Sequence, residues 1–299
     1  MTSTNVDLAP APAEPLPDAG PVIHIRPTRG WGHLDLRELW PYRELLYFLT
    51  WRDIKVRYKQ SVLGVAWVII QPVMTTGAFV FLFRLLMGAG NEPTVPGVPY
   101  AMSTFCAMLP WHLFASSVNR SSNSLAAEES IFTKVYFPRL LLPLSSVLSG
   151  IIDFLIAFAL LLVLMPLFGV MPTWRMIAVP VLAGWAVVAS LAIGFWLSIL
   201  SAIYRDVRYA LPFAVQFAMY VSPVIYATAV LKDDLPVWAM RIYQLNPMVA
   251  VIEGFRWAVL GTADVPARML LPSVVVTAIL FVAGLYFFRR MERTIVDVI

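Results

Sequence analysis

The sequence predicts an all-α integral membrane protein with six transmembrane helices, an N-terminal amphipathic interface helix, and short re-entrant helices between spans five and six. Three observations lead there. Hydrophobic residues make up 60% of the 299-residue chain and charged residues only 13%, about half the charged share of a soluble domain. Six apolar runs are each long enough to cross a hydrocarbon core, which takes about 20 helical residues. Lys and Arg gather between alternate runs, as they do on the cytoplasmic side of multi-pass proteins.

Residues 1–38 are rich in Pro and Ala with scattered acids. They read as a disordered cytoplasmic tail, or alternatively as a docking arm. They hold no apolar h-region and no early basic cluster, so no signal peptide is expected.

Residues 39–61 read as the interface helix. The stretch "IKVRYK" alternates apolar and basic residues and by itself suggests a strand. However, no Gly or Pro punctuates Tyr42 to Leu63, and Pro41 suits the first turn of a helix. Helical spacing puts Arg52, Lys55 and Lys59 on one face, with Trp51, Ile54 and Tyr58 on the adjoining one. Tyr42, Leu45, Leu46 and Leu49 form an apolar stripe upstream. Arg57 adds a fourth cation to this short stretch, and Asp53 is its single counter-charge. Such a helix lays aromatics in the headgroup zone and turns cations toward anionic lipid. Each near-surface cation adds about 1 kcal/mol of attraction. The same helix can also form a groove for a cytoplasmic partner.

Residues 62–299 hold the membrane domain, with spans expected near 62–87, 99–118, 140–168, 176–203, 208–231 and 269–288. The third run exceeds what a crossing needs and must tilt, bend or project into the cytoplasm. Prolines 72, 143, 166, 212 and 223 interrupt spans, which neighbouring helices can accommodate. Asn246 to Gly261 is apolar but short and carries Glu253 and Arg256, which suits a re-entrant or interfacial helix. Residues 231–268 then form a compact cap on one side of the membrane. With both termini on one side, sixteen of the 22 Lys and Arg fall on that side, which places the termini in the cytoplasm.

Machinery for covalent chemistry is missing from the motif inventory. No phosphate-cradling loop, G-x-S-x-G, H-E-x-x-H or C-x-x-C occurs. Cys106 is the single cysteine, and two of the three histidines, His24 and His33, lie in the tail. Neither a disulfide framework nor a metal site is expected. His112, in "LPWHLF", reads as interfacial or helix-packed. Nucleic-acid binding is excluded because the cations border apolar spans and form no basic domain. Asp153 is the clear acid inside a span and a functional candidate on that ground. The reading favoured is structural, with its carboxylate near the cytoplasmic third of a long helix and hydrogen-bonded to Ser or Tyr. In the fifth run, Phe213, Phe217 and Tyr220 recur at i, i+4, i+7 with Gln216 beside them. That stripe can stack on sugar faces along a glycan path, or can face lipid.

The segment "LLYFLTWRDIKVRYKQSVLGVAWVIIQPVM" closely resembles the approach to the first span in permease subunits of polysaccharide ABC exporters, the type-2 class that exports lipid-linked O-antigen, capsule or teichoic acid. Arg52, Asp53, Lys55, Arg57, Tyr58, Ser61, Leu63, Gly64, Trp67 and Pro72 carry the likeness. "KVYFPR", "YRDVRY", "SPVIY", "LNPM" and "GFRWAVLG" follow in the family's order. The likeness runs from about residue 40 to the C-terminus and leaves the tail outside.

The resemblance implies a channel-forming subunit that moves a lipid-linked polysaccharide, expected to be O-antigen, across the bacterial inner membrane. Two copies of the chain would join two ATP-binding cassette subunits, which would carry the ATP and Mg, and this chain itself would need no cofactor. The interface helix, with Trp51, Arg52, Lys55, Arg57, Tyr58 and Lys59, would help hold the ATPase. The cytoplasmic loop 119–139 would contain a coupling helix, with Glu128, Glu129 and Lys134 contributing. Arg205 and Asp206 of "YRDVRY" would make a second contact. Residues 231–268 would form an extracytoplasmic gate containing Asn246, Glu253 and Arg256. The path would run between the two copies, lined largely by the first and fifth spans. The alternatives are an ABC permease for a small lipid or drug, and an ion-coupled secondary transporter.

Overall fold

The computed structural model describes residues 36–59, 64–88, 97–128, 137–231, 235–262 and 267–298, and every regular element among them is helical. The tail expected over 1–38 lies outside the described residues as far as 35. A 3-10 turn, Leu36–Tyr42, leads into helix α1, Arg43–Lys59. Then come α2 (Ala66–Met87), α3 (Tyr100–Ala127), α4 (Leu141–Leu148) and α5 (Gly150–Leu167). A second 3-10 turn, Trp174–Ala178, precedes α6 (Val179–Ile203). The chain continues through α7 (Arg205–Val221), α8 (Thr228–Leu231), α9 (Val237–Tyr243), α10 (Pro247–Leu260) and α11 (Ala267–Val298).

Four segments among the described residues are long and apolar enough to cross a membrane: Ala66–Met87, Leu141–Leu167, Trp174–Ile203 and Leu270–Glu292. The other two expected spans differ for physical reasons. Helix α3 runs 28 residues, well past the expected end at 118, but it is rich in Ser and also carries Asn119 and Asn123. Nineteen of its residues are buried against other helices, so it does not need a lipid-compatible surface. Helix α7 stops at Val221, where a span to 231 was expected. Ser222 is extended (φ −91°, ψ 155°) because Pro223 follows it, and a residue before proline is pushed out of the α region.

The long third run breaks at Ser149 into α4 and α5. Gly150 opens the second of these because the Arg120 guanidinium crosses there: a Cβ on Gly150 would sit 2.4 Å from Arg120 Nη2. Small residues likewise let α3 and α6 approach closely. Gly194 faces Ser121, with room for no Cβ, since the Ser121 Cβ would lie 2.9 Å away. Ser122 and Ser201 join the same contact through a hydrogen bond from the Ser201 hydroxyl to the Ser122 carbonyl. Small and hydroxyl-bearing residues serve this purpose in membranes, where apolar burial does not by itself drive helices together.

Two apolar cores result. The larger joins α3, α5, α6 and α10 through residues such as Phe105, Met108, Leu161, Phe255 and Val259. The second joins Leu49 of α1 to Leu125, Leu141, Phe195, Ile199 and Phe288. Tyr42, Leu45 and Leu46, the stripe expected on α1, pack at the edge of this second core. Helix α1 is therefore fastened to the bundle by an apolar face, and its charges are aimed by that docking.

Candidate functional site

Docking of α1 carries two of its five cations, Arg52 and Arg57, inward. Arg52 forks onto Glu128 at the end of α3, with Nη2 2.5 Å from Oε1 and Nη1 3.2 Å from Oε2. It also reaches Asp53 at 2.9 Å. Burial works against the charge on Arg52, but the Asp53 and Glu128 carboxylates outweigh it and hold its pKa above the ordinary value. Lys55 and Lys59 stay exposed, with Lys55 Nζ 5.6 Å over the half-exposed Trp51 ring. The cationic face expected to meet lipid is thus divided between the protein and the surroundings.

One turn further, Arg57 and Tyr58 close on Asp153 in the first turn of α5. Arg57 Nη1 donates to Oδ2 at 2.5 Å, and its Nη2 donates to the Ser149 hydroxyl at 3.0 Å. Tyr58 donates to Oδ1 in a short hydrogen bond. From the other side, Arg120 Nη1 reaches Oδ2 at 3.3 Å, while its Nε and Nη2 are held by the Ser146 carbonyl and the Ser116 hydroxyl. Burial, then the bonded and charged Asp153, push the Tyr58 hydroxyl up to about 12, so it remains a donor at any physiological pH. The acid singled out in the sequence therefore sits between two arginines and a tyrosine, and it has the tyrosine partner expected for a structural role. Its arginine partners were not foreseen. Arg120 carried a visible signal, since no Gly or Pro separates Trp111 from Ala127 and the helix had no reason to stop at 118.

A second polar cluster joins the end of α7 to α10. Asn246 caps α10 by accepting from the Met248 amide at 3.0 Å and donates to the Ser222 hydroxyl at 2.9 Å. Glu253 Oε1 accepts from the amide and hydroxyl of Thr228 (2.9 and 2.7 Å) and from Arg256 Nη1 at 2.9 Å. Arg256, only 1% exposed, also donates to the Val224 carbonyl at 3.1 Å. The three residues expected together in the 231–268 region are thus linked through the turn that ends α7. Helix α10 ends at Gly261, whose φ of 69° is left-handed and favours glycine.

The aromatic stripe of α7 lies open. Phe213, Phe217 and Tyr220 are 76%, 61% and 48% exposed. Gln216 donates to the Tyr220 hydroxyl at 3.4 Å, and Phe79 of α2 meets Tyr220 edge to face with centroids 6.4 Å apart. Arg205 and Asp206 are exposed in the first turn of α7. Glu129 and Lys134 lie outside the described residues. Glu128 is engaged by Arg52 and so acts on the position of α1. Arg139 of "KVYFPR" donates from its amide and its Nη1 to Glu292 of α11, each at 3.0 Å. No cluster of three or more metal-binding side chains occurs among the described residues.

Every regular element among the described residues is helical, and four segments are long and apolar enough to cross a membrane, which defines a multi-pass membrane protein. Residues 44–260 match the ABC-2 type transporter family, and the chain belongs to it. It is 29% identical over 221 residues to the O-antigen export system permease protein RfbA of Myxococcus xanthus, covering 74% of this chain and 82% of that one. It is 27% identical over 258 residues to the RfbA of Klebsiella pneumoniae, covering 86% and 95%. The polysialic acid transport protein KpsM of Escherichia coli is 21% identical over 247 residues, covering 81% and 91%.

Proposed function

We propose that this chain is the permease subunit of an ATP-driven exporter that moves a lipid-linked polysaccharide, of the O-antigen kind, out across the bacterial inner membrane. The observation that carries the reading is the match to O-antigen export permeases over most of both chains. ATP and Mg belong to a separate ATP-binding cassette subunit, in keeping with the missing phosphate loop. The working unit is two copies of each. Six spans follow if α3 and α7 also cross: at about 1.5 Å per residue, 28 residues reach about 42 Å, and α3 is shielded by protein. Both termini are then cytoplasmic. Residues 231–268 form the outer gate, stiffened by Asn246, Glu253 and Arg256.

The open stripe Phe213, Gln216, Phe217 and Tyr220 lines the glycan path, because aromatic faces stack on the apolar faces of sugars. The interface helix and residues near Glu128, Glu129, Lys134, Arg205 and Asp206 form the side that meets the ATPase. ATP-driven closure of that partner resets the helices between two states. The experiment is purification of the tagged chain from native membranes with protein identification, an ATPase assay, and polysaccharide export measured in cells. An equimolar ATP-binding subunit and loss of surface polysaccharide on deletion are expected. A chain that purifies alone and whose deletion leaves the polysaccharide in place overturns the reading. Within it, F217A and Y220A should slow export or change glycan length, and unchanged export by a folded complex removes the stripe from the path.

A further inference from the structure

We infer that a cavity between α2, α3, α5 and α7 seats the phosphate end of the substrate's carrier lipid; this rests on the proposed export of a lipid-linked polysaccharide. The cavity holds about 570 Å³ of space, within the roughly 300–1,000 Å³ of typical ligand sites. Its polar end is built from Arg57, Tyr58, Arg120 and Asp153, and its walls from apolar residues such as Trp67, Leu109, Trp111, Phe154 and Met219.

The charge at the polar end is unbalanced. Among the residues lining the cavity, Arg57 and Arg120 are the two cations and Asp153 the one carboxylate. Both Asp153 oxygens are already occupied, Oδ1 by Tyr58 and Oδ2 by the two arginines. Each guanidinium has five N–H donors. Arg57 places two of them and Arg120 three on protein acceptors. The donors left over, in forks fixed by Asp153, Ser149 and Ser116, are shaped for phosphate oxygens. His112 Nε2, on the same lining, finds no hydrogen-bond partner among the described residues.

A free anion would leave the apolar walls uncovered, and a bare hydrocarbon would leave the excess charge unanswered. One phosphate on one hydrocarbon chain meets both demands. The carrier lipid has one such chain, whereas an ordinary phosphoglyceride must place two. Trp67, exposed at the mouth on α2, suits the headgroup level where tryptophan gathers.

The test uses the full permease–ATPase complex in phosphatidylcholine nanodiscs, with a polyprenyl phosphate bearing a diazirine near its phosphate as photoprobe. Saturable labelling of peptides from α2, α3 or α5 around the cavity is expected. R120Q, which removes a fork, and V68F, which fills the wall from the lightly buried α2, should each weaken labelling about tenfold. Copurification of the ATPase and an unchanged melting temperature show which variant is folded, and V68F leaves the ion cluster untouched. Labelling elsewhere, or labelling indifferent to V68F, overturns the inference. Equal displacement by phosphatidylglycerol also overturns it and makes the cavity a site for a structural lipid. A complex that exports polysaccharide but is never labelled at the cavity sinks this inference alone. Normal surface polysaccharide in cells lacking the chain sinks the proposed function, and the carrier-lipid assignment with it.

Discussion

Replacing Asp153 by Asn is the sharpest perturbation of the cluster that fastens α1. The change keeps the size of the side chain and removes its charge, leaving Arg57 and Arg120 facing each other across a site both had reached at 2.5 and 3.3 Å. Stranding the partner of a fully buried ion pair costs roughly 3–5 kcal/mol. An exposed pair is worth less than about 1 kcal/mol. The three side chains here are 19% to 26% exposed, nearer the buried case. Two cations lose one carboxylate and Tyr58 keeps only an amide oxygen, so a loss of about 2–4 kcal/mol follows after discounting for solvent. At about 2–4 °C per kcal/mol, the melting temperature of the purified complex should fall by about 4–16 °C. Intrinsic tryptophan fluorescence during heating reads this directly. Adding R120Q to D153N removes the repulsion and should restore part of the loss, a coupling that a double-mutant cycle isolates. A D153N complex melting within about 1 °C of the parent refutes the reasoning, because the arginines would then not depend on Asp153.

Three further outcomes follow from the same geometry. G194A puts a Cβ against Ser121 at a helix crossing and should cost about 1–3 kcal/mol by overpacking; S121G should recover part of it, and additive melting shifts would count against the contact. R256M leaves Glu253 with only the Thr228 amide and hydroxyl as partners and should destabilise by about 2–4 kcal/mol, read as poor yield of folded complex. Tyr58 titrates in the fold at about 12 against an ordinary value near 10. The fold therefore favours its neutral form, a contribution present below about pH 10 and lost as pH rises toward 12. Between pH 9 and pH 11 the parent should lose more thermal stability than Y58F, and equal losses would show that the hydroxyl is not held.

Much of the architecture is legible in the residues alone, and particular elements show where that ends. Apolar runs of sufficient length dictate helices, because a spanning segment must satisfy its own backbone hydrogen bonds. The four described segments long and apolar enough to cross a membrane follow from this, and so does the helix at Arg43–Lys59, where no breaker intervenes. The ordered motifs from Arg52 to Gly261 carried the family. Helices α3 and α7 were harder because their character is not local. A buried helix can be polar, and hydropathy cannot tell a serine that faces Gly194 from one that faces water. Pro223 marked the end of α7 but competed with the apolar residues beyond it.

What the chain determined by itself was composition, helix type and the position of each charge along the sequence. Only the tertiary structure decided which charges meet. Arg57 lies 96 residues from Asp153 and Arg120 lies 33 away, separations that no periodicity records. Their meeting depends on the docking of α1 by Leu49, on the glycine that lets Arg120 cross α5, and on the turn each helix presents to its neighbour. Ion pairs are short-ranged and directional, so they are set by packing, whereas the hydrophobic drive into a bilayer needs only the local sum of side chains.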